Sequence, residues 1–434
     1  MILYPEYEQM PQDQLRQLQL KRLQKQVKAV FNNVPFYRRI YDEHGMKPGD
    51  IKVLDDISQL PFITKIDFRD NYPFGLLAVP MDKVARIHAS SGTTGKSTVA
   101  AYTKKDIKTW SQILARGLAT GGVRAGDILQ NALGYGLFTG GLGFHYGAEQ
   151  LGVTVVPSAT GNTKRQLALL QDLGTTVLAC TPSYALILIE AARESGIDWK
   201  KTRLRLVFCG AEPWSEQMRR DIQKGLGVPA IDNYGLTEVI GPGVSFECEY
   251  QDGLHIVEDH FLAEIVDPAT GKTLPYGAEG ELVLTSLTKE AYPVIRFRTR
   301  DITSLNPEPC RCGRTSLRMA RVTGRSDDML IVRGVNVFPS QIEATLLEID
   351  GVSPHYQIVV DRQHAFSYRD LEIWVEVSES TFSDEMDKMK ELANRIRSNL
   401  DSVLGISTRV KLVEPKTLAR SEGKTKRVID RSEL

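Results

Sequence analysis

Apolar positions along the chain repeat with two periods, and the changes between them divide it into parts. Leu15, Leu20, Leu23, Val27 and Val30 recur at helical spacing in a background rich in Gln, Lys and Arg, which predicts a helix near the start. From about residue 84 short apolar runs take over. Val84-Ala85-Arg86-Ile87-His88 and Thr98-Val99-Ala100-Ala101-Tyr102-Thr103 read as strands, and a helix is expected after Thr103 as its N-cap. Val153-Thr154-Val155-Val156, Thr176-Val177-Leu178-Ala179 and Leu206-Val207-Phe208 are further strand candidates, with helical stretches such as residues 183–195 between them. This alternation predicts an α/β fold with a largely parallel sheet. From about 254 to 305 the text changes to strands and turns, for example Gly280-Glu281-Leu282-Val283-Leu284-Thr285, a β subdomain extending over about 254–325. Near the end Leu371, Ile373, Val375 and Val377 alternate with Glu372, Trp374 and Glu376, the pattern of a half-buried strand. Met386, Met389, Leu392, Ile396, Leu400 and Val403 then form a helical stripe read as core. The expected architecture is a large domain over 1–326, of mixed and parallel sheets with helices plus the β subdomain, and a small α+β domain over 327–434. The boundary falls near Gly324-Arg325-Ser326-Asp327-Asp328.

Composition narrows the function classes. The 434 residues carry equal numbers of basic and acidic side chains, for a formal net charge of zero. No global basic field would draw in nucleic acid or an anionic membrane. No apolar run is long enough to span a bilayer, and the opening MILYPEYEQMPQDQ lacks the pattern of a signal peptide, so a cytoplasmic location is expected. Five cysteines in so long a chain do not suggest a disulfide framework. Cys180 and Cys209 sit in apolar strands and read as structural. Cys248, His255, Cys310 and Cys312 are different: three Cys and one His are a structural Zn²⁺ set, although the spacing is not that of a standard finger. The alternative is that they are free, buried cysteines.

Candidate chemistry begins at Ser90-Ser91-Gly92-Thr93-Thr94-Gly95-Lys96-Ser97-Thr98. Gly95-Lys96-Ser97 matches the end of a Walker loop, but Ser90 stands where that loop needs its first Gly. A Walker loop also runs into a helix, whereas this one runs into a strand. A strand–loop–strand segment can still wrap an anion with its backbone N–H groups; a plain surface loop is the alternative. Phe208-Cys209-Gly210-Ala211-Glu212-Pro213-Trp214 ends a strand, where open α/β sheets bind ligands. Tyr234-Gly235-Leu236-Thr237-Glu238 alone would read as a buried turn, and Arg298-Thr299-Arg300-Asp301 alone as a surface salt-bridge network. Asn131-Ala132-Leu133-Gly134-Tyr135-Gly136-Leu137-Phe138-Thr139-Gly140-Gly141 combines aromatics with glycines; it reads either as a slot for a flat ring or as a strand–helix turn with core aromatics.

Taken in order, SSGTTGKST, YGLTE, FRTRD, GRSDDMLIVRG and a Gly-Lys near the end resemble the adenylate-forming superfamily of acyl-CoA synthetases, peptide-synthetase adenylation domains and luciferases. The closer resemblance is to the phenylacetate–CoA ligase branch, through CGAEPW (209–214), YGLTEVIGPGVSFEC (234–248), SLTKEAYPVIRFRTRDIT (286–303) and GRSDDMLIVRGVNVFPSQIE (324–343). One departure is informative: the usual Tyr-Arg-Thr-Gly-Asp becomes Phe297-Arg298-Thr299-Arg300-Asp301, an Arg that this branch itself favours. The resemblance implies a two-step reaction. An aryl carboxylate attacks the α-phosphate of ATP to give acyl-AMP and diphosphate, and the thiol of coenzyme A then displaces AMP.

It also implies residue roles. Ser90, Ser91, Gly92, Thr93, Thr94 and Gly95 would hold the outer phosphates. Gly210, Ala211, Glu212, Pro213, Asn233, Tyr234 and Gly235 would form the adenine site, with Tyr234 stacked on the ring. Asp301 would accept from both ribose hydroxyls, and Arg325 would reach the ribose or phosphate. Thr237 and Glu238 belong to the catalytic set, Glu238 as a ligand of Mg²⁺. Lys424, rather than Lys96, would bridge the carboxylate and α-phosphate; Asp327 matches a hinge about which the small domain rotates between the two steps. Tyr135, Gly136 and Phe138 are the candidates for the acid's pocket. Phenylacetate, indoleacetate and benzoate-like acids stay open as substrates, as does an acceptor other than coenzyme A. A P-loop NTPase fails on Ser90 and on the strand after the loop, and a zinc-containing nucleic-acid binder is disfavoured by the neutral charge. Related ligases are often dimers, which leaves room for a homodimer here.

Overall fold

The structure is a computed structural model that describes residues 1–90, 98–326, 330–333, 335–364, 367–378, 381, 386–418 and 427–431. It divides into two compact units, residues 1–181, 191–211 and 227–321 in one, and 182–190, 212–226 and 322–434 in the other.

The first unit is built on a nine-stranded sheet among the described residues. Strands Thr154–Val156, Ile128–Asn131, Val177–Cys180, Leu206–Gly210 and Ala230–Leu236 lie side by side and parallel. Their apolar runs are explained by burial: Leu129, Val177, Leu178, Ala179, Val207 and Phe208 are all in the core, as strands covered on both faces must be. Cys180 and Cys209 are buried directly opposite one another in this register, as their apolar surroundings predict. The sheet then continues antiparallel through Gly241–Glu247, Leu254–Ile256, Arg318–Met319 and Leu305–Asn306. A separate antiparallel meander, Phe261–Val266, Gly280–Ser286 and Phe297–Thr303, supplies the strand-and-turn region.

Val84–Ala89 and Val99–Thr103 form an antiparallel pair. The ladder extends one step further, Ser90 N–H to the Thr98 carbonyl at 2.9 Å, and closes the mouth of the loop between them. Residues 91–97, and with them most of the expected phosphate loop, lie outside the described residues. Thr103 caps helix Lys104–Thr120, as the sequence predicts: its hydroxyl accepts from the Asp106 N–H at 3.0 Å. Asp106 also accepts from the N–H groups of Glu290 and Ala291, which fastens the loop after Gly280–Ser286 to the helix start. Lys105, given no role by the sequence, pairs with Glu290 at 2.6 Å.

The N-terminal helix runs Gln12–Asn33 and buries Leu15, Leu23, Val27 and Val30. It also buries Gln19 and Gln26, which helical periodicity of apolar residues does not flag. Their amides donate to the carbonyls of Glu258 and Lys289, so burial leaves no donor unpaired.

The second unit contains a six-stranded mixed sheet among the described residues, centred on the long pair Val352–His364 and Ser367–Val377. Helix Met386–Leu404 packs Leu392, Ile396, Leu400 and Leu404 into its core. Val403, expected in that stripe, is 53% exposed. Steps of four from Leu392 reach Leu404, so the core face follows i+4 spacing to the end of the helix.

Candidate active site and cysteine cluster

The expected site residues of the first unit converge by specific contacts. Ser90 closes the pair that leads into the phosphate loop, and its hydroxyl accepts from the Thr98 N–H at 3.1 Å. One residue earlier, the Ala89 N–H donates to the Leu137 carbonyl at 3.0 Å. The His88 ring meets the same carbonyl at 3.0 Å. Residues 132–138 connect strand Ile128–Asn131 to helix Thr139–Gln150. The backbone comes so close here that a Cβ on Gly141 would sit 2.4 Å from the Gly134 carbonyl oxygen. Gly136 is exposed and Phe138 half-buried. Tyr135 is half-buried, its hydroxyl accepting from Asn131 at 2.8 Å and lying 3.1 Å from His145 Nδ1. Burial pushes its phenol up to about 12, so it stays neutral at physiological pH.

Thr139 starts the helix, and its hydroxyl lies 3.3 Å from that of Thr237. The mouth of the phosphate loop, the aromatic turn and the YGLTE segment therefore adjoin one another. Tyr234, Gly235 and Leu236 extend strand Ala230–Leu236 rather than forming a turn; the turn begins at Thr237. Gly235 is obligatory, because a Cβ there would lie 2.1 Å from the Gly241 carbonyl oxygen of the neighbouring strand. Glu238 is buried, with Lys65 Nζ 3.6 Å away. Lys65 opens a short helix far upstream, and no local pattern links it to Glu238.

The strand end at Gly210 has the same tightness. A Cβ on Gly210 would come within 2.6 Å of Asn233, whose amide donates to the Cys209 carbonyl at 2.8 Å. Ala211 follows with φ of 72°, left-handed for a residue with a side chain. Glu212 and Pro213 belong to the second unit, where Glu212 accepts from the Ser183 N–H at 2.7 Å. Arg325, on strand Gly324–Arg325, also belongs to that unit. Asp327 and Lys424 lie outside the described residues.

Two motifs distant in sequence are joined directly: the Tyr234 hydroxyl donates to Asp301 Oδ2 at 2.5 Å. Asp301 is buried, and it lies next to a backbone irregularity. Glu281 pairs with Ile302 but Val283 with Arg298, so extra residues on strand Phe297–Thr303 bulge outward. Within the bulge Arg300 has φ of 69°. Gly adopts that conformation without strain, whereas a residue with a side chain does not. Here Arg300 is held by Glu281, 3.5 Å from its guanidinium, while Arg298 pairs with the same carboxylate at 2.6 Å.

The four residues of the expected zinc set come together in the first unit. Their ligand atoms all lie within 4.8 Å of one another. Cys248 follows strand Gly241–Glu247, His255 lies in Leu254–Ile256, and Cys310 and Cys312 sit on the turn before Arg318–Met319. Among the described residues, none of the four is a partner in the Tyr234–Asp301 hydrogen bond.

Similarity to characterised proteins fits this geometry. Residues 21–288 match the AMP-binding enzyme family and residues 334–432 the AMP-binding enzyme C-terminal domain. The chain is 50% identical to the phenylacetate-coenzyme A ligase of Thermus thermophilus over 99% of each chain. It is 49% identical to that of Escherichia coli, over 96% of this chain and 95% of the relative. Among solved structures, 2-hydroxyisobutyryl-CoA ligase in the postadenylation state superposes with a TM-score of 0.93 at 29% identity, covering 100% of this chain and 93% of the other.

Proposed function

The chain belongs to the AMP-binding, adenylate-forming enzymes, in the family of the phenylacetate–CoA ligases, and from that premise we propose that it activates phenylacetate with ATP and passes the acyl group to coenzyme A. Carboxylate oxygen bonds to the α-phosphorus as diphosphate leaves; the thiol sulfur then bonds to the acyl carbon as AMP leaves with that oxygen. A free carboxylate is a poor acyl donor because its leaving group would be oxide, and the mixed anhydride replaces it with AMP. The enzyme's task is to position two anions and offset charge as it develops.

The observation that carries this reading is the Tyr234–Asp301 hydrogen bond. It ties an aromatic face suited to a purine to a carboxylate suited to two vicinal hydroxyls. Gly210 and Asn233 line the same strand ends as backbone-tight positions. Glu238 is a buried carboxylate whose ion-pair partner, Lys65 Nζ, lies 3.6 Å away; such a hard oxygen donor fits Mg²⁺, which would neutralise phosphate charge. The mouth formed at Ser90, and residues 91–95 beyond it, are assigned the departing phosphates. Lys424 is assigned the charge on the reacting oxygens as a point cation. The aromatic turn, with Tyr135 and Phe138, adjoins Thr237 through Thr139 and is assigned the acid's ring.

The test is diphosphate release over a panel of aryl acids, with and without coenzyme A. Phenylacetate is expected to lead the panel, with sustained turnover only when coenzyme A is present. Release that coenzyme A does not accelerate would overturn the acceptor, and a better benzoate or indoleacetate would overturn the acid.

A further inference from the structure

Cys248, His255, Cys310 and Cys312 take no part in the chemistry above, yet their side chains converge from three separate segments. The distances discriminate between three readings. A disulfide needs sulfurs about 2.0 Å apart, whereas Cys248 and Cys310 Sγ are 3.8 Å apart. Unrelated buried thiols have no reason to gather a histidine nitrogen among them. A tetrahedral zinc with arms of about 2.3 Å to sulfur and about 2.05 Å to nitrogen has S···S edges of about 3.8 Å and S···N edges of about 3.6 Å. The observed S···S separation is 3.8 Å, and Cys312 Sγ lies 3.4 Å from His255 Nε2. We propose that these four residues bind one zinc ion as a closed, structural Cys3His site.

The surroundings complete it. His255 Nδ1 is 3.1 Å from the Ser316 hydroxyl, which orients the ring and leaves Nε2 as the ligand. Three thiolates, a neutral imidazole and Zn²⁺ sum to one negative charge, and that charge is met. Backbone N–H groups of Tyr250 and Arg314 bond to the sulfurs of Cys248 and Cys312. The Arg314 guanidinium lies 3.5 Å from Cys312 Sγ. The turn itself requires Gly313, whose φ is 88°. Cys248, His255 and Cys310 are buried, and the donor set supplies four ligands with no place left for water or substrate, which distinguishes a structural from a catalytic zinc.

The ion would fasten more than its own loop. Arg314 also contacts Glu8 and donates to the Met1 carbonyl at 2.9 Å. Glu8 and Asp259 share Arg116 at 2.7 and 2.9 Å. Zinc would thus fix the turn that holds the chain's first residues against helix Lys104–Thr120.

Zinc content of the full-length protein as purified, measured by plasma mass spectrometry, should be about one ion per chain, and cobalt(II) exchanged into it should show thiolate-to-metal charge transfer. The Cys248→Ser/Cys310→Ser variant should lose the metal. After chelation of the folded wild-type protein, removal of the chelator and restoration of Mg²⁺, Tm should be lower while acid-dependent diphosphate release per folded molecule is unchanged. Zinc below about 0.1 equivalents together with no cobalt band in the wild type would overturn the site, whether or not the variant folds. Metal retained by a folded double variant would overturn the ligand set. Activity lost on chelation without a change in Tm would overturn the structural role.

Discussion

The Tyr234–Asp301 region and the cysteine cluster lie in the same unit and use side chains in opposite ways. Around Tyr234 the backbone is tight or strained: Gly210 and Gly235 leave no room for a Cβ, and Ala211 and Arg300 adopt left-handed conformations. Such positions cost of order 1–3 kcal/mol each for a residue with a side chain, and they cluster where geometry serves a ligand. The turns that carry the cysteine cluster also include left-handed residues, Gln251 with φ of 52° as well as Gly253 and Gly313, but here the donors face one another. One region holds polar groups in place for something that arrives and leaves. The other closes on itself. In the roles proposed above, the site for turnover and the site for stability therefore differ in whether the donors face a ligand or one another, rather than in backbone strain alone.

That contrast can be broken by sorting variants according to what they change. Asp301→Ala should give the largest effect, a fall of ~10²–10³-fold in kcat/KM for ATP with little change in Tm, measured by diphosphate release and differential scanning calorimetry. A large loss of Tm would move Asp301 to the stability side.

Lys289→Met comes next. Lys289 is fully buried over the Tyr102 ring, and burial lowers its ammonium from 10.5 to about 7. Its folded-state value lies below its unfolded one, so between about pH 7 and 10.5 the unfolded chain holds a proton that the folded chain does not. Stability contributed at this position therefore rises with pH across that window, and the burial penalty is greatest below it. The variant should gain of order 2–4 kcal/mol at pH 7, and the gain should shrink towards pH 10, as read from urea unfolding at each pH. If turnover falls at unchanged stability, the buried amine belongs with the reacting groups.

Tyr234→Phe removes the hydroxyl that holds Asp301 and keeps the ring. A loss of about tenfold in kcat/KM for ATP is expected, the scale of one charge-assisted hydrogen bond. No loss would show that the bulge alone positions Asp301. Arg300→Gly should change least: relief of left-handed strain offsets the lost pairing with Glu281, for a net shift within ~1 kcal/mol and near-normal activity.

Much of this was legible in the sequence, for identifiable reasons. Strand runs such as Leu206-Val207-Phe208 and the cap at Thr103 are local signals, and the elements formed where those signals lie. Gln19 and Gln26 were not legible as core residues because the carbonyls that satisfy them come from Glu258 and Lys289, more than 200 residues away. Val403 was misplaced by a spacing of three where the packing keeps a spacing of four to Leu404. In the candidate site, residue types were readable but not their partners. Nothing near Asp301 announces the Tyr234 hydroxyl, and nothing near Glu238 announces Lys65, because each pairing is made only by the fold. Arg300 was visible only as a departure from a motif; its φ gives that departure a physical meaning. The cysteines were legible as a donor set, while their gathering depends on two strands and a turn meeting at one edge of the sheet.

An acid that passes through an acyl-adenylate must leave one of its own oxygens on AMP. Phenylacetate labelled with heavy oxygen at both carboxylate positions should deliver one labelled oxygen to AMP in every turnover, with the other kept in the thioester. Label in orthophosphate, or AMP that carries none, would contradict the account.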